Sequence, residues 1–157
     1  MWVPDVGAFG SLVSDAQNDE EIEYMLDGKP RTLASGKHFA VLSTLNKDGS
    51  IQSHPMWCGI DDEGHILINT EVHRAKFKNM QRNPTVTVLI QETGNPWSWS
   101  EVRGKVVETV TGDVARDHID SLAKKYLGVD DYPNPIQSER VMVKIAPDRV
   151  INNPPGS

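Results

Sequence analysis

The sequence predicts a mostly-β (α+β) domain: six antiparallel strands closing into a small barrel, with a few peripheral helices. Three observations predict it. Short apolar and β-branched runs recur between Gly-containing turns, as in Asn46-Lys47-Asp48-Gly49 and Asp61-Asp62-Glu63-Gly64. Only a few segments carry helical spacing instead of strand alternation. The 157 residues suffice for one ordinary core and not for two.

Taken in order, residues 1–18 are rich in Gly, Ser, Asp and Asn and read as an irregular N-terminal arm. Residues 19–151 form the predicted domain. In Asp19 to Leu26, acids precede Ile22, Met25 and Leu26 at helical spacing, a short helix closed by Asp27-Gly28-Lys29-Pro30. His38 to Leu45 is the first strand. Ser50 to Ile60 is the second, with Pro55 marking an edge or a bulge because proline donates no ladder hydrogen bond. His65 to Thr70 is the third. From Glu71 the period changes: His73, Phe77 and Met80 form one helical stripe, stopped at Asn83-Pro84. Thr85 to Gln91 and Trp97 to Val110 are strands, the second bent near Gly104. Asp113 is placed to cap a helix to Leu127, with Ile119, Leu122, Ala123 and Tyr126 inward and Gly128 ending it. Arg140 to Ile145 is the last strand, and residues 152–157 read as a flexible tail.

Composition narrows the function classes. The net charge of −6, from 22 acids against 16 bases, disfavours a nucleic-acid partner. No run approaches the roughly 20 apolar residues of a membrane span. With no basic-then-apolar leader in view, the expected location is the cytoplasm. Cys58 is alone, so it has no intrachain disulfide partner. His38, His54, His65, His73 and His118 fall in no metal-ligand motif, and no metal site is expected.

Against this acidic background the cations cluster once. His73-Arg74-Ala75-Lys76-Phe77-Lys78, with Arg82 beyond, contains no acid. It follows a strand and opens a helix, where free N–H groups and the positive dipole end suit a phosphate. Arginine adds a planar fork and lysine a mobile point charge. Residues two apart on an ideal helix point about 160° apart. Arg74 and Lys76 therefore converge only if Arg74 lies in the first turn or the preceding loop. The alternative is that the cations merely solvate the outer face of a short helix.

Four stretches resemble the split-barrel flavin and deazaflavin oxidoreductases, the pyridoxamine 5′-phosphate oxidase-like superfamily, and within it the branch that uses coenzyme F-420. They are Val41-Leu42-Ser43-Thr44-Leu45 with Asp48-Gly49; Gln52-Ser53-His54-Pro55-Met56-Trp57; His73 to Met80 with Asn83-Pro84-Thr85-Val86-Thr87-Val88; and Val102-Arg103-Gly104-Lys105-Val106. The resemblance covers roughly residues 34–145 and implies a split β-barrel.

It also implies an oxidoreductase, with coenzyme F-420 favoured over FMN because Lys78, Arg82 and Lys37 add cations beyond the pair. The implied chemistry is hydride transfer to a small conjugated acceptor such as a quinone, enone, nitro compound or tetrapyrrole. Arg74 and Lys76 would hold the cofactor phosphate, helped by Lys78 and Asn79. His54, Pro55, Met56 and Trp57 would lie along the ring, and Asn69 and Thr70 would face the ribityl chain. The resemblance implies a homodimer with interface sites, closed by the partner's Trp97, Ser98 and Trp99. It assigns no catalytic acid or base; His54, from its neighbours, is the candidate proton donor, and a plain surface histidine is the alternative. The Trp-Ser-Trp alternation suits either a dimer interface or a ring-stacking wall. A non-catalytic carrier or sensor of a flavin, deazaflavin or haem-like ligand is the alternative, and an oligomerisation module with an empty groove is a third reading.

Overall fold

The computed structural model describes residues 26–157. The expected arm of residues 1–18, and all but the last residue of the helix expected before Asp27, lie outside them. The elements are α1 (Gly28–Ser35), β1 (Ala40–Leu45), β2 (Ile51–Met56), β3 (Gly59–Ile60), β4 (Ile66–Glu71), α2 (Ala75–Arg82), β5 (Thr85–Gln91), β6 (Trp99–Val110), α3 (Asp113–Leu127) and β7 (Arg140–Asn153).

All strands pair antiparallel in one curled sheet of seven, ordered β2-β1-β5-β6-β7-β4-β3. The sequence predicts six. The second expected strand is split into β2 and β3 by Trp57 and Cys58, just past Pro55. The expected closed barrel is instead open between β2 and β3, the two edges of the sheet.

Period-two burial builds the core. Ala40, Leu42 and Thr44 of β1, Val86, Val88 and Ile90 of β5, and Val141, Val143 and Ile145 of β7 are buried, with Ile66 and Ile68 of β4. The turn before β2 has the expected chemistry. Gly49 sits at φ 88°, Ser50 O accepts from Asn46 N at 2.8 Å, and the Asp48 carboxylate accepts from Ser50 N at 2.9 Å. On β6 the register shifts between Arg103 and Gly104, at the expected bend. A Cβ on Gly104 would stand 2.1 Å from Ala146 O, so the strands approach here only because the side chain is absent.

The structure corrects several expected boundaries. Gly28–Ser35 is helical, not a stop. Pro30 falls in its first turn, where no intrahelical partner awaits the missing N–H. Asp113 is the first helical residue of α3 rather than its cap. The cap is Gly112, at φ 73°, so Asp113 acts through the helix dipole. β7 continues to Asn153, into the expected tail, because β6 supplies partners as far as Trp99↔Asn153. The inner face of α3 is the expected one, with Ile119, Leu122, Ala123 and Tyr126 buried.

Candidate functional site

α2 holds the basic segment against the sheet. Phe77 and Met80 are buried beneath it. Asn79, also buried, donates its amide to Thr44 Oγ1 at 3.1 Å and Asn46 Oδ1 at 2.8 Å. Its own Oδ1 accepts from Arg82 at 3.2 Å. Asn79 therefore anchors α2 to β1, and Arg82 is drawn to that same anchor.

Arg74 is the N-cap of α2, with extended backbone at φ −73° and ψ 145°. That takes it out of the helix body, the condition for convergence with Lys76. No side chain caps the helix start and its first turn carries no acid. Lys76 is half-buried. Burial first, then the charges of Arg74 and Arg140, pull its ammonium below the ordinary lysine range. Among the described residues no carboxylate pairs with Arg74, Lys76 or Lys78. Lys78 is exposed.

Arg140, which the sequence reading did not single out, opens β7 opposite Glu71 of β4. Its Nη1 donates to Glu71 Oε2 at 3.3 Å and its Nε to Asn69 Oδ1 at 2.8 Å. Glu71 is 2% exposed. Its other oxygen accepts from Gln137 N at 2.8 Å and Ser138 N at 2.6 Å. Burial alone would raise this carboxyl. The two N–H groups and the Arg140 charge outweigh it and hold Glu71 below the usual carboxylate range. Glu71 is thus a buried counter-ion to Arg140.

Asn69 and Thr70 are both buried. Asn69 links Arg140 to α3: its amide nitrogen donates to Ala115 O at 2.9 Å and lies 3.0 Å from His118 Nδ1. Because Asn69 Oδ1 faces Arg140, the amide N–H faces His118, and Nδ1 is the acceptor. Among the described residues His118 Nε2 has no hydrogen-bond partner. Burial, then Lys125 and Arg140, lower His118 to about 4.

A cavity of about 230 Å³ opens beside Arg140, walled by Trp57, Tyr132, Met56, Pro55 and Phe39. Trp57 stacks on Tyr126 at 5.3 Å, with 4° between the rings, and meets Tyr132 at 6.1 Å and 89°. Tyr132 is fixed by its N–H, which donates to Asp120 at 2.8 Å. Arg140 lies 5.1 Å from the Tyr132 ring centroid. His54 sits on β2 opposite Leu42, half-buried and outside this cavity wall.

Of the expected site residues, the structure gathers Arg74 and Lys76 at one helix start, and Pro55, Met56, Trp57 and Asn69 around one cavity. Trp97 and Trp99 lie elsewhere in the chain. Trp99 pairs with Asn153, at the far end of β7 from Arg140. Trp97, 77% exposed, lies in a turn rather than on the strand, so the indoles do not share a strand face. Asp61, Glu63 and His65 form a separate cluster in the β3–β4 turn. There the Asp61 carboxylate already accepts from Glu63 N, His65 N and His65 Nδ1.

The sequence profile of the pyridoxamine 5′-phosphate oxidase family matches residues 26–153. The chain belongs to that family. No curated protein sequence matches it. Among solved structures it is similar to an F-420 reductase, with 26% identity, a TM-score of 0.69, and coverage of 77% of this chain and 94% of that one. A conserved hypothetical protein of Mycobacterium tuberculosis shares 21% identity, with a TM-score of 0.60, over 87% of this chain and 89% of that one. General stress protein 26 of Bacillus anthracis shares 23%, with a TM-score of 0.58, over 79% and 90%. These last two share the fold. The family contains oxidoreductases, and this chain carries the family's split-barrel architecture. No helix of the described residues is long and apolar enough to cross a membrane.

Proposed function

We propose that this protein is an oxidoreductase that holds coenzyme F-420, or alternatively FMN, by its phosphate at Arg74 and Lys76. The observation that carries this reading is Lys76. A half-buried ammonium near the charges of Arg74 and Arg140, with no carboxylate partner among the described residues, is open to an anion. A phosphate at the uncapped start of α2 would complete it. The likeness to an F-420 reductase supports the deazaflavin.

Lys78 fits the longer, more anionic tail of coenzyme F-420. Arg82 fits it less well, since its guanidinium is engaged at Asn79 and Leu45 O. Lys37 precedes β1, whereas α2 is anchored at that strand's other end by Thr44 and Asn46. Within one chain Lys37 is therefore remote from the helix. When bound, the cofactor would supply hydride transfer to a conjugated acceptor; this chain's residues bind, orient and exclude water.

A homodimer belongs to the same reading. Trp97 and Trp99 reach the basic cluster only from a second copy. The outer face of β1 and β5 offers it a docking surface: Val41, Leu89 and exposed Phe39 line a depression of about 380 Å³. The test is titration with FMN, FAD and coenzyme F-420 side by side. Arg74→Ala and Lys76→Ala should each weaken binding by about 1.5–3 kcal/mol, the range for a charged hydrogen bond. Unchanged affinity in both variants removes the phosphate site. Tight binding without turnover across a panel of acceptors would instead make the protein a carrier.

A further inference from the structure

His118, Ser121, Leu122 and Lys125 recur at helical spacing and form one stripe of α3. The stripe lines a second pocket, of about 290 Å³, against α1 and the β3–β4 hairpin. Leu122 is the one residue it shares with the cavity beside Arg140. Neither Arg74, Lys76 nor any residue expected along the cofactor ring lines it. Its apolar wall is Ile60, Leu67 and Leu122, with no Phe, Tyr or Trp.

Two polar groups of this pocket lack the partner their chemistry requires. His118 accepts from Asn69 at Nδ1, so the neutral ring carries its proton on Nε2. That nitrogen is buried, and no described residue accepts from it. A buried N–H left unmet is destabilising. Lys125 is half-buried. Its ammonium donates to Cys58 O at 2.6 Å and Ala34 O at 3.1 Å, and lies 4.8 Å from the Tyr126 ring centroid. These contacts fix the ammonium in place, but their acceptors are neutral. Among the described residues no carboxylate opposes its charge. Its third N–H has no described acceptor. The Lys125 charge is felt at His118, so the two groups are neighbours. A water could meet His118 Nε2, but it would not neutralise Lys125. A carboxylate does both, with one oxygen for each donor.

We propose that this pocket binds a short-chain aliphatic carboxylate, its oxygens on Lys125 Nζ and His118 Nε2 and its tail against Ile60, Leu67 and Leu122. The site needs no bound cofactor and is independent of the oxidoreductase reading.

The probes are butyrate and its neutral isostere butyramide, titrated into the full chain at pH 7 while the imidazole nitrogens are followed by proton–nitrogen NMR. Butyrate should shift the His118 Nε2 resonance to saturation, and butyramide should bind at least tenfold more weakly. Lys125→Met, which keeps the stem and loses the charge, should weaken butyrate at least tenfold. That variant also leaves two backbone carbonyls without a donor, so Gly59→Val provides a second arm. A Cβ at Gly59 meets only Leu122, at an ordinary 3.7 Å. Valine is at home in a strand and here extends into the pocket, so it should also weaken butyrate at least tenfold. Arg74→Ala should leave the titration unchanged. Equal binding of acid and amide overturns the proposal, as does a His118 Nε2 that responds to neither, since water alone would then satisfy it. Unchanged butyrate affinity in folded Gly59→Val overturns it too. Loss of butyrate binding in Arg74→Ala, or its displacement by FMN or coenzyme F-420, would place the anion at the basic segment and overturns it equally.

Discussion

His118→Gln should flatten the acid sensitivity of the fold between pH 6.5 and 4. The imidazole sits between α3 and β4, its Nδ1 accepting from Asn69. Burial, with Lys125 and Arg140, lowers it to about 4 from 6.5. The folded state therefore binds this proton more weakly than the unfolded chain. Between those values the unfolded chain is protonated and the folded one is not, so stability falls as pH falls. The contribution is fully present above pH 6.5 and exhausted below about 4. At 1.36 kcal/mol per pH unit the loss is about 3 kcal/mol. Urea unfolding at pH 7, 6, 5 and 4 measures it as the difference between wild type and variant, and groups common to both, such as Glu71, cancel. Glutamine retains an acceptor for Asn69, so the variant should fold at pH 7. Parallel pH profiles for the two proteins would refute the reasoning, as would an NMR titration of His118 near 6.5.

Three further outcomes follow from the packing. Glu71→Gln breaks a buried ion pair, which costs about 3 kcal/mol or more. At about 2–4 °C per kcal/mol the melting temperature should drop by about 6–12 °C, and the wild-type loss of stability below pH 4.5 should shrink, because the depressed Glu71 contributes stability that disappears as pH falls through its folded value. Gly104→Ala places Cβ 2.1 Å from a backbone oxygen that cannot rotate away. It should destabilise by about 3 kcal/mol, the upper end for overpacking, read from the urea midpoint. Tyr126→Phe removes the hydroxyl that donates to His38 O at 2.5 Å and accepts from Cys58 N at 3.2 Å. It should cost about 1–3 kcal/mol for the orphaned buried groups, seen by thermal melting.

What the sequence reveals about this fold is what local chemistry decides. Alternation sets the strands, Asp48-Gly49 sets its hairpin, and the Ile119-Leu122-Ala123-Tyr126 stripe sets the inner face of α3. The misplacements have the same origin. Pro30 and Gly28 read locally as a turn, yet both are compatible with a first helical turn. Trp97 reads as strand, yet the turn through Gly94 carries it out of the sheet, and Gly94 is at φ 85°. Arg140 and Tyr132 were invisible for a different reason. Their importance arises from partners far along the chain, Arg140 with Glu71 across the β4–β7 register and Tyr132 with Trp57. No periodicity or spacing encodes a contact between residues 57 and 132. The position of Arg74 ahead of the helix body was legible, because residues two apart in an ideal helix point about 160° apart and only that placement lets it converge with Lys76.

The buried carboxylate near the cations sharpens the meaning of that pair. Glu71 sits three residues before Arg74 and is the acid nearest in sequence to the cations. It is not free: Gln137 N, Ser138 N and Arg140 already occupy it. A carboxylate so fully satisfied gains little by turning toward a second cation and would orphan two backbone N–H groups if it did. The loop between α3 and β7 thus does more than connect them. Its Gln137 and Ser138 N–H groups fix Glu71, and Tyr132 of the same loop walls the cavity. On the proposed reading, an anion arriving at the start of α2 would meet Lys76 with the nearby acid already held elsewhere.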